Sequence, residues 1–369
     1  MDPIYGSFGS LIIDDIQFQD GTKKVDIPGG AGIFTIYGMR IFLNSATASS
    51  IGYVAHRGFD HPKNIDEALE SLNISLINQT HQDKHTPRGL NTFSDDDHRD
   101  FEYIHPIIRI TPIDFTDNWV MSMKLVHLIC AQDRTIDIIH EWRGREKKLN
   151  KSSRTKFLWE PIPWECLPEN YSNIKKAGQY VDIISPNHEE VISFLGLSTH
   201  TTNDDNENIN KHIKNPAINE KDPISTKKLI EQCGQQLKKD FPHAVIVIRC
   251  GKLGACVIDA TTNMEEIKWV PPYWTATTKE EKKRIVDPTG CGNAFCGGFL
   301  VGYHESNGDP VTSAMYGSVA SSFVLEQVGV PQLRHFSSTD TTNNSDHGES
   351  WNNGPSPRER LKQLQLRCL

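Results

Sequence analysis

From Ser122 to Gln327 the chain alternates short apolar runs with longer stretches whose apolar residues recur at helical spacing. SMKLVHLIC, TKFLWEP, VDIISPN, HAVIVIRCG and GACVIDA read as strands. Ala131–Arg145, HEEVISFLG, ISTKKLIEQCGQQLKKDF, AFCGGFLVGYHES and VTSAMYGSVASSFVLEQ read as helices. Strands apolar on both faces, with helices between them, fit a parallel sheet whose crossover helices cover each face. HEEVISFLG opens on acids, as the helix dipole favours. The beginning of the chain follows the same rhythm. GSLIIDDIQF reads as a buried strand ending in acids, DIPGGAGIFTIYGMRIFL as a glycine turn and an apolar helix, and SATASSIGYV as another strand.

Other stretches break the rhythm. From about Ile74 to Arg109 apolar and polar residues alternate between turn signals, which predicts a few antiparallel strands with one exposed face, a candidate lid at about 74–110. Residues 198–222 and 337–357 hold almost no apolar residues. They are expected to be a disordered insertion and part of a disordered tail, 336–369, in which RERLKQLQLRCL could form a short terminal helix. The expected layout is one α/β domain over 1–335, with the lid and the insertion inside it, followed by the tail.

Composition removes several function classes. A net charge of −8 repels nucleic acid and anionic membranes. No apolar run approaches the roughly 20 residues that span a bilayer, and MDPIYGSFGSLIIDD carries acids where a signal peptide would be apolar. The eight cysteines are scattered without zinc-ligand spacing, so free thiols in a reducing, cytoplasmic compartment are expected. RGREKKLNKSSRTK (143–156) is basic but has no aromatic residue to stack on a base, and reads as a solvated helix end and loop.

The segment DPTGCGNAFCGG, Asp287 to Gly298, carries the chemistry. A strand-like RIV enters it and an apolar helix leaves it. It is neither a phosphate loop ending in GK[ST] nor a dinucleotide fingerprint, because Phe295 occupies the third glycine position. The amides of Gly290, Cys291, Gly292 and Asn293 fall at a predicted helix N-terminus, where free N–H groups and the dipole favour an anion. A tight turn packed into a core is the alternative on the loop alone.

The whole segment resembles the signature of the PfkB (ribokinase-like) carbohydrate kinases, DTTGAGDxFxGGFL. Asp287, Thr289, Gly290, Gly292, Phe295, Gly297, Gly298 and Phe299 fall in register. Other landmarks follow in family order between about Gly6 and Pro331. GSLIIDD resembles the first strand, with Asp14 at the aspartate that binds substrate hydroxyls. PGGAG resembles the sugar-site motif, with Gly29 and Gly30. SPNHEE resembles the NxxE motif, with Asn187 and Glu190, and RCGKLGACV the nucleotide-site strand, with Gly251 and Gly254. The resemblance implies a doubly wound, mainly parallel sheet with helices on both faces and a small β lid. It further implies ATP with Mg2+ along the sheet's carboxyl edge and a hydroxyl-bearing acceptor under the lid. Glu190 would hold the ion through water with Asn187, and Gly290, Cys291 and Gly292 would form the anion hole. For Glu190, an acid that merely stabilises a first helical turn is the other reading, and for Asp14 a turn cap. Family lids that pair subunits allow a homodimer.

GGAGIFTIYGMRIF, RGLNTF, HRDFEY, LWEPIP, VDIISPNHEE and DPTGCGNAF together resemble a fungal branch, the maintenance-of-killer sugar-kinase-like proteins. Its yeast member is required for stability of particles containing a viral double-stranded RNA, a role in which so acidic a chain would act without binding RNA directly. Several positions depart from the family. Asn293 stands at its base aspartate, and losing a general base costs on the order of 10²–10⁴ in rate. Phe34 replaces a sugar-binding asparagine, His56 and Arg57 alter the GYVAHRGFD loop, and Arg249 stands where a threonine is common. The expectation is a pseudokinase that binds Mg-ATP with weak or absent transfer. The alternatives are an active sugar or nucleoside kinase using another base, with Asp287, Asp95, Asp96 and Asp97 as candidates, and a non-catalytic interaction scaffold.

Overall fold

The computed structural model describes residues 2–93, 99–197, 222–259, 267–336 and 348–368. The chain enters its large sheet by a three-residue strand, β1 (Tyr5–Ser7), and leaves it at once for a hairpin, β2 (Ile12–Gln17) and β3 (Lys23–Gly29). Helix α1 (Ala31–Arg40) leads to β4 (Ile51–Gly58), α2 (Lys63–Glu70) and β5 (Ser75–His81), and a second pair follows, β6 (Arg88–Phe93) and β7 (Arg99–His105). A regular succession then runs α3 (Asp117–Ser122), β8 (Leu125–Ile129), α4 (Gln132–Lys148), β9 (Lys156–Glu160), α5 (Tyr171–Gly178) and β10 (Ile183–Ile184). It continues with α6 (His188–Phe194), α7 (Pro223–Asp240), β11 (Val245–Arg249), β12 (Ala255–Asp259) and β13 (Lys268–Val270). The chain closes with α8 (Lys279–Arg284), α9 (Cys291–Glu305), α10 (Pro310–Val324), β14 (Leu333–His335), β15 (Glu349–Trp351) and α11 (Pro357–Arg367).

Nine strands form one sheet in the order β13-β12-β11-β10-β9-β8-β1-β4-β5. Neighbours from β5 to β11 are parallel, and β12 and β13 join antiparallel at one edge. The chain winds outward from β1 to β5, then returns to β8 and winds the other way. The reversal lies between β1 and β8, and ligands of open α/β sheets bind in the crevice outside the strands' carboxyl ends at such a point. Helices α9 and α1 meet there closely enough that a Cβ on Gly297 would lie 2.0 Å from the Thr35 carbonyl oxygen. The paired glycines of the signature are thus a packing requirement as well as a loop feature.

The lid differs from its expected bounds. It is a four-stranded sheet in the order β3-β2-β6-β7, with β2 and β6 parallel. The stretch GSLIIDDIQF therefore builds the lid rather than the main sheet, and ISLINQT, expected in the lid, is β5 at the edge of the main sheet. Alternation reports one buried face but does not say which sheet provides it. The basic stretch 143–156 is the end of α4 and the loop after it, exposed at Lys147, Lys148, Arg154 and Lys156, with Lys151 turned inward to donate to the Val120 and Met123 carbonyls at 2.9 and 2.5 Å. No helix among the described residues is long and apolar enough to cross a membrane. Of the expected insertion at 198–222 only Asp222, the N-cap of α7, is described; 198–221, the acids Asp95, Asp96 and Asp97, and 337–347 lie outside the described residues.

The expected disordered tail is built into the fold over 348–368. β15 pairs with β14, and α11 buries Leu361 and Leu364. Glu349 makes a 2.8 Å ion pair with the fully buried Arg40. The Arg360 guanidinium lies 2.8 Å from Glu326 and 3.7 Å from the Phe323 ring centre. Breaking a buried ion pair by removing one partner leaves a charge without compensation. Glu349→Ala is expected to lower the unfolding free energy by about 3 kcal/mol in urea titration. Glu349→Gln, which keeps an acceptor for Arg40, is expected to cost less.

Candidate functional site

At the carboxyl edge of the sheet, three elements end on charged or polar residues. Glu160 closes β9, Arg249 closes β11, and Asn187 begins α6 beside Arg249, with which it makes an isolated parallel bridge. The first turn of α9 brings Asn293 into the same place. Its side-chain amide donates to Glu160 Oε2 at 2.9 Å, and Arg249 Nη1 lies 2.7 Å from Glu160 Oε1. His127 on β8 completes the shell, with Nε2 at 3.0 Å from Glu160 and Nδ1 at 3.0 Å from the Ser7 hydroxyl. With the Nε2 proton directed at the carboxylate, Nδ1 accepts from Ser7. Burial alone would raise the Glu160 carboxyl. Arg249, His127 and Asn293 outweigh it and hold Glu160 down at about 2.

The expected phosphate loop takes its predicted shape with one exception. Gly290 precedes α9 with φ of +77°, a left-handed conformation that glycine adopts without strain. Asp287 is buried and accepts from the Thr289 amide at 2.9 Å and its hydroxyl at 2.6 Å, so its carboxylate closes its own turn. The Cys291 amide donates to the Pro288 carbonyl at 3.1 Å and leaves the expected anion hole. The Gly292 turn faces Arg249: a methyl group placed on Gly292 would lie 2.1 Å from Arg249 Nη1. Gly251 and Gly254 shape the turn that follows Arg249, with φ of +50° and +91°.

Asn187 and Glu190 form a capping box, which places Glu190 in the first helical turn, as its alternative reading had it, and adds Asn187 as the N-cap. The Asn187 amide donates to Glu190 Oε2 at 2.7 Å and the Glu190 amide to Asn187 Oδ1 at 2.8 Å. Glu190 is buried, and Arg249 Nη2 stands 3.6 Å from its Oε2. Burial raises the Glu190 carboxyl to about 7, against the smaller pull of Arg249. The capping box engages one oxygen of the Glu190 carboxylate and leaves Oε1 for the water shell of a magnesium ion, for which Arg249 is a competitor. Asn187 Oδ1 and Glu190 Oε2 serve the capping box, and a cation already adjoins the carboxylate. Two unit charges 4 Å apart repel by about 4 kcal/mol at an effective dielectric of 20, and a magnesium ion doubles the charge on one side.

The expected acceptor side is a small cavity under the lid, bordered by the start of the glycine loop. Asp14, Asn91, Phe34, Asp287 and Thr289 line it, and its volume is about 10 Å³, enough for roughly one water. Asp14 is buried and lies so close to Gly29 that a Cβ there would stand 1.9 Å from Asp14 Oδ2. Gly30 begins α1 with φ of +86°. Phe34 packs with Ala294 and Val324, its ring against Gly290. His56 contacts His81 at 2.9 Å and Asp114 at 3.3 Å, and Arg57 pairs with Asp66, so neither reaches the cavity's lining.

The structure thus gathers Asn293, Gly292, Asn187 and Glu190 around Arg249, and keeps Asp14 and Gly29 apart from them. Glu160, His127 and Ser7 escaped the sequence reading. The available signal was Glu160 itself, an acid ending the apolar run KFLW at a strand's carboxyl end.

Because the folded chain holds the Glu190 proton more tightly than the unfolded chain, stability is lost as pH rises from about 4.5 to about 7. The full penalty, about 3 kcal/mol, is present above that window. Glu190→Gln removes the ionisable group and keeps a capping acceptor. It is expected to melt clearly above the parent at pH 8 and close to it at pH 5, a difference read by calorimetry at the two pH values.

The pfkB family carbohydrate kinase profile matches residues 165–333. An uncharacterised protein of Schizosaccharomyces pombe is 29% identical over 365 residues, covering 96% of this chain and 91% of that one. Protein MAK32 of Saccharomyces cerevisiae is 28% identical over 343 residues, with coverage of 88% and 85%. Among solved structures, ribokinase from Giardia lamblia superposes with a TM-score of 0.64 at 16% identity, covering 89% of this chain and 96% of that one. Ribokinase from Cryptococcus neoformans, solved with ADP, gives 0.61 at 15%, with coverage of 89% and 96%. An Escherichia coli protein assigned as a ribokinase II, solved with ATP and Mg2+, gives 0.62 at 16% and covers both chains fully, 100% of each. The glycine signature, the doubly wound sheet and these likenesses agree: the chain has the ribokinase-like fold, resembles the pfkB carbohydrate kinases over residues 165–333 and is similar to MAK32 along most of its length.

Proposed function

We propose that the chain binds a nucleotide at the carboxyl edge of the sheet and transfers phosphate to an acceptor slowly or not at all. One observation carries the second half: the Asn293 amide is donated into Glu160 at 2.9 Å. An amide has no useful basicity at neutral pH, and the carboxylate behind it is a poor substitute. Glu160 is held at about 2 and tied to Arg249, His127 and Asn293, which leaves it little affinity for a hydroxyl proton. Asp287, the other described candidate, spends Oδ1 on the amide and hydroxyl of Thr289. The cavity of about 10 Å³ beside Phe34 offers no room for a sugar or nucleoside in this conformation.

Nucleotide binding is supported by the retained frame. Gly290, the first turn of α9, and the Gly251 and Gly254 turn stand together at the strand ends, and two structural neighbours are solved with ADP or ATP. β7, the outer strand of the lid, exposes Phe101, Tyr103 and Ile104, which supports pairing of two lids. A role shared with MAK32 would run through a protein or metabolite, since a net charge of −8 disfavours RNA.

The test has two parts. Calorimetric titration with ATP is expected to show saturable binding, and absence of binding at millimolar ATP would overturn the nucleotide reading. A screen of sugars, nucleosides and vitamins is expected to give turnover on the order of 0.1 per second or slower; a rate above about 1 per second on any of them would overturn the inactive reading. Asn293→Asp, the simplest repair of the base, is expected to yield no comparable gain. It places a second carboxylate against Glu160, and like charges at that separation do not ionise together without cost. At pH 8 the variant is expected to lose about 2 kcal/mol of stability, measured by urea unfolding.

A further inference from the structure

Three segments meet where the lid joins the main sheet. Asp60 lies between β4 and α2, His85 in the connection from β5 to β6, and His105 ends β7. A carboxylate oxygen of the first and a ring nitrogen of each histidine all lie within 4.8 Å of one another. Asp60 is already aimed: Oδ1 accepts from the Thr86 amide at 2.7 Å, and Oδ2 lies 2.8 Å from His85 Nδ1. The His85 ring stacks on that of His105, with centres 4.1 Å apart and planes 11° from parallel, and Phe59 packs on it at 4.6 Å. Among the described residues the ionic partner of Asp60 is the His85 imidazole, and no lysine or arginine pairs with it. The other such cluster, His127, Glu160 and Cys296, differs in this respect, because Arg249 already pairs with its carboxylate.

We propose that Asp60, His85 and His105 bind a divalent transition-metal ion of the zinc class, which ties the lid to the main sheet. Imidazole and carboxylate donors suit zinc, and two histidines with one carboxylate leave the fourth tetrahedral position to water. The ion takes the place of the proton between Asp60 and His85. Nδ1 binds the metal, and the proton of the neutral ring moves to Nε2, which faces away from it. An ion lies in the plane of each imidazole that binds it, whereas stacked rings have parallel, separate planes. His105 therefore turns out of the stack to bind. It stands at a register shift in the ladder, where Arg88 pairs with His105 and Gly89 with Tyr103, so the strand is irregular at the point that must adjust. The same donors disfavour magnesium, which is held by oxygens in an octahedron. The consequence is mechanical. Asp60 belongs to the main sheet's end and His105 to the lid, so a bound ion fixes the angle between the two.

Two measurements test the proposal. In the first, chelator-treated protein carrying Cys368→Ser, which removes the exposed thiol among the described residues, is titrated calorimetrically with Zn2+. One equivalent is expected to bind, and excess Mg2+ is expected not to displace it. His85→Ala and His105→Ala, each checked by thermal melting, are expected to weaken binding by about tenfold or more. Absence of saturable zinc binding, displacement by Mg2+, or unchanged affinity in both variants overturns the proposal. In the second, the parent protein is treated with diethyl pyrocarbonate with and without Zn2+, and the modified histidines are located by mass spectrometry. Zinc is expected to protect His85 and His105. Equal modification of both in the two samples overturns the proposal without recourse to a variant.

Discussion

Two buried carboxylates share one guanidinium at the carboxyl edge of this sheet, and the arrangement of the site follows from that shortage of positive charge. Arg249 gives its close contact to Glu160, at 2.7 Å, and only a distant one to Glu190, at 3.6 Å. Taking ions out of water is expensive, and only close geometry with further hydrogen bonds repays it. Glu160 has both and stays ionised well below neutrality; Glu190 has neither in full, and burial wins. The pair also fixes the relative placement of β9, β11 and the start of α9, elements remote in sequence that meet nowhere else through charge of this kind.

Seen from Glu160, the residue at the family's base position is constrained. A second acid at 2.9 Å would have to share a proton with it, whereas an amide donates to it. The line continues inward through His127 to Ser7, both without solvent contact, so a satisfied polar network runs from the helix turn into the first strand of the sheet. Buried networks of this sort are stable only when each member is paired. Asn293, at the position where the resembled signature carries an aspartate, is thereby the outermost member of a structural network, and its neutrality answers to the carboxylate behind it.

Much of the fold was legible because parallel sheets announce themselves. Runs such as HAVIVIRCG and KFLW are apolar on both faces, and the helices between them carry their period openly. The glycine loop was legible for a related reason: a left-handed Gly290 and a Gly297 with no room for a side chain are positions that few other residues satisfy. The lid was misbounded because alternation in GSLIIDDIQF and ISLINQT reports a half-buried strand and is silent about the partner. β1 has three residues, too few for any period. The C-terminal stretch was misread because arginines hold it, Arg40 to Glu349 and Arg360 to Glu326 and Phe323, and composition counts such residues as polar. Glu160 was visible as an acid at a strand end, but its partner Asn293 lies 133 residues away and no local pattern connects them.

The two expected halves of the site rest on different parts of the polypeptide. On the nucleotide side the backbone is kept: the left-handed glycines, the first turn of α9 and the turn after β11 depend on main-chain geometry, which side-chain replacements around them leave intact. On the acceptor side the chemistry depends on side chains, and there Phe34 fills the space against Gly290 while Asp14 stands against Gly29. Main-chain features persist because α9 must pack on α1 whether or not phosphate is moved, as Gly297 against Thr35 shows. The glycine positions are therefore explained by packing of the core, whatever chemistry takes place at the edge. A signature read from glycines alone then reports the packing of α9 on α1, and says nothing of the side chains, Asn293, Glu160 and Arg249, that meet over its first turn.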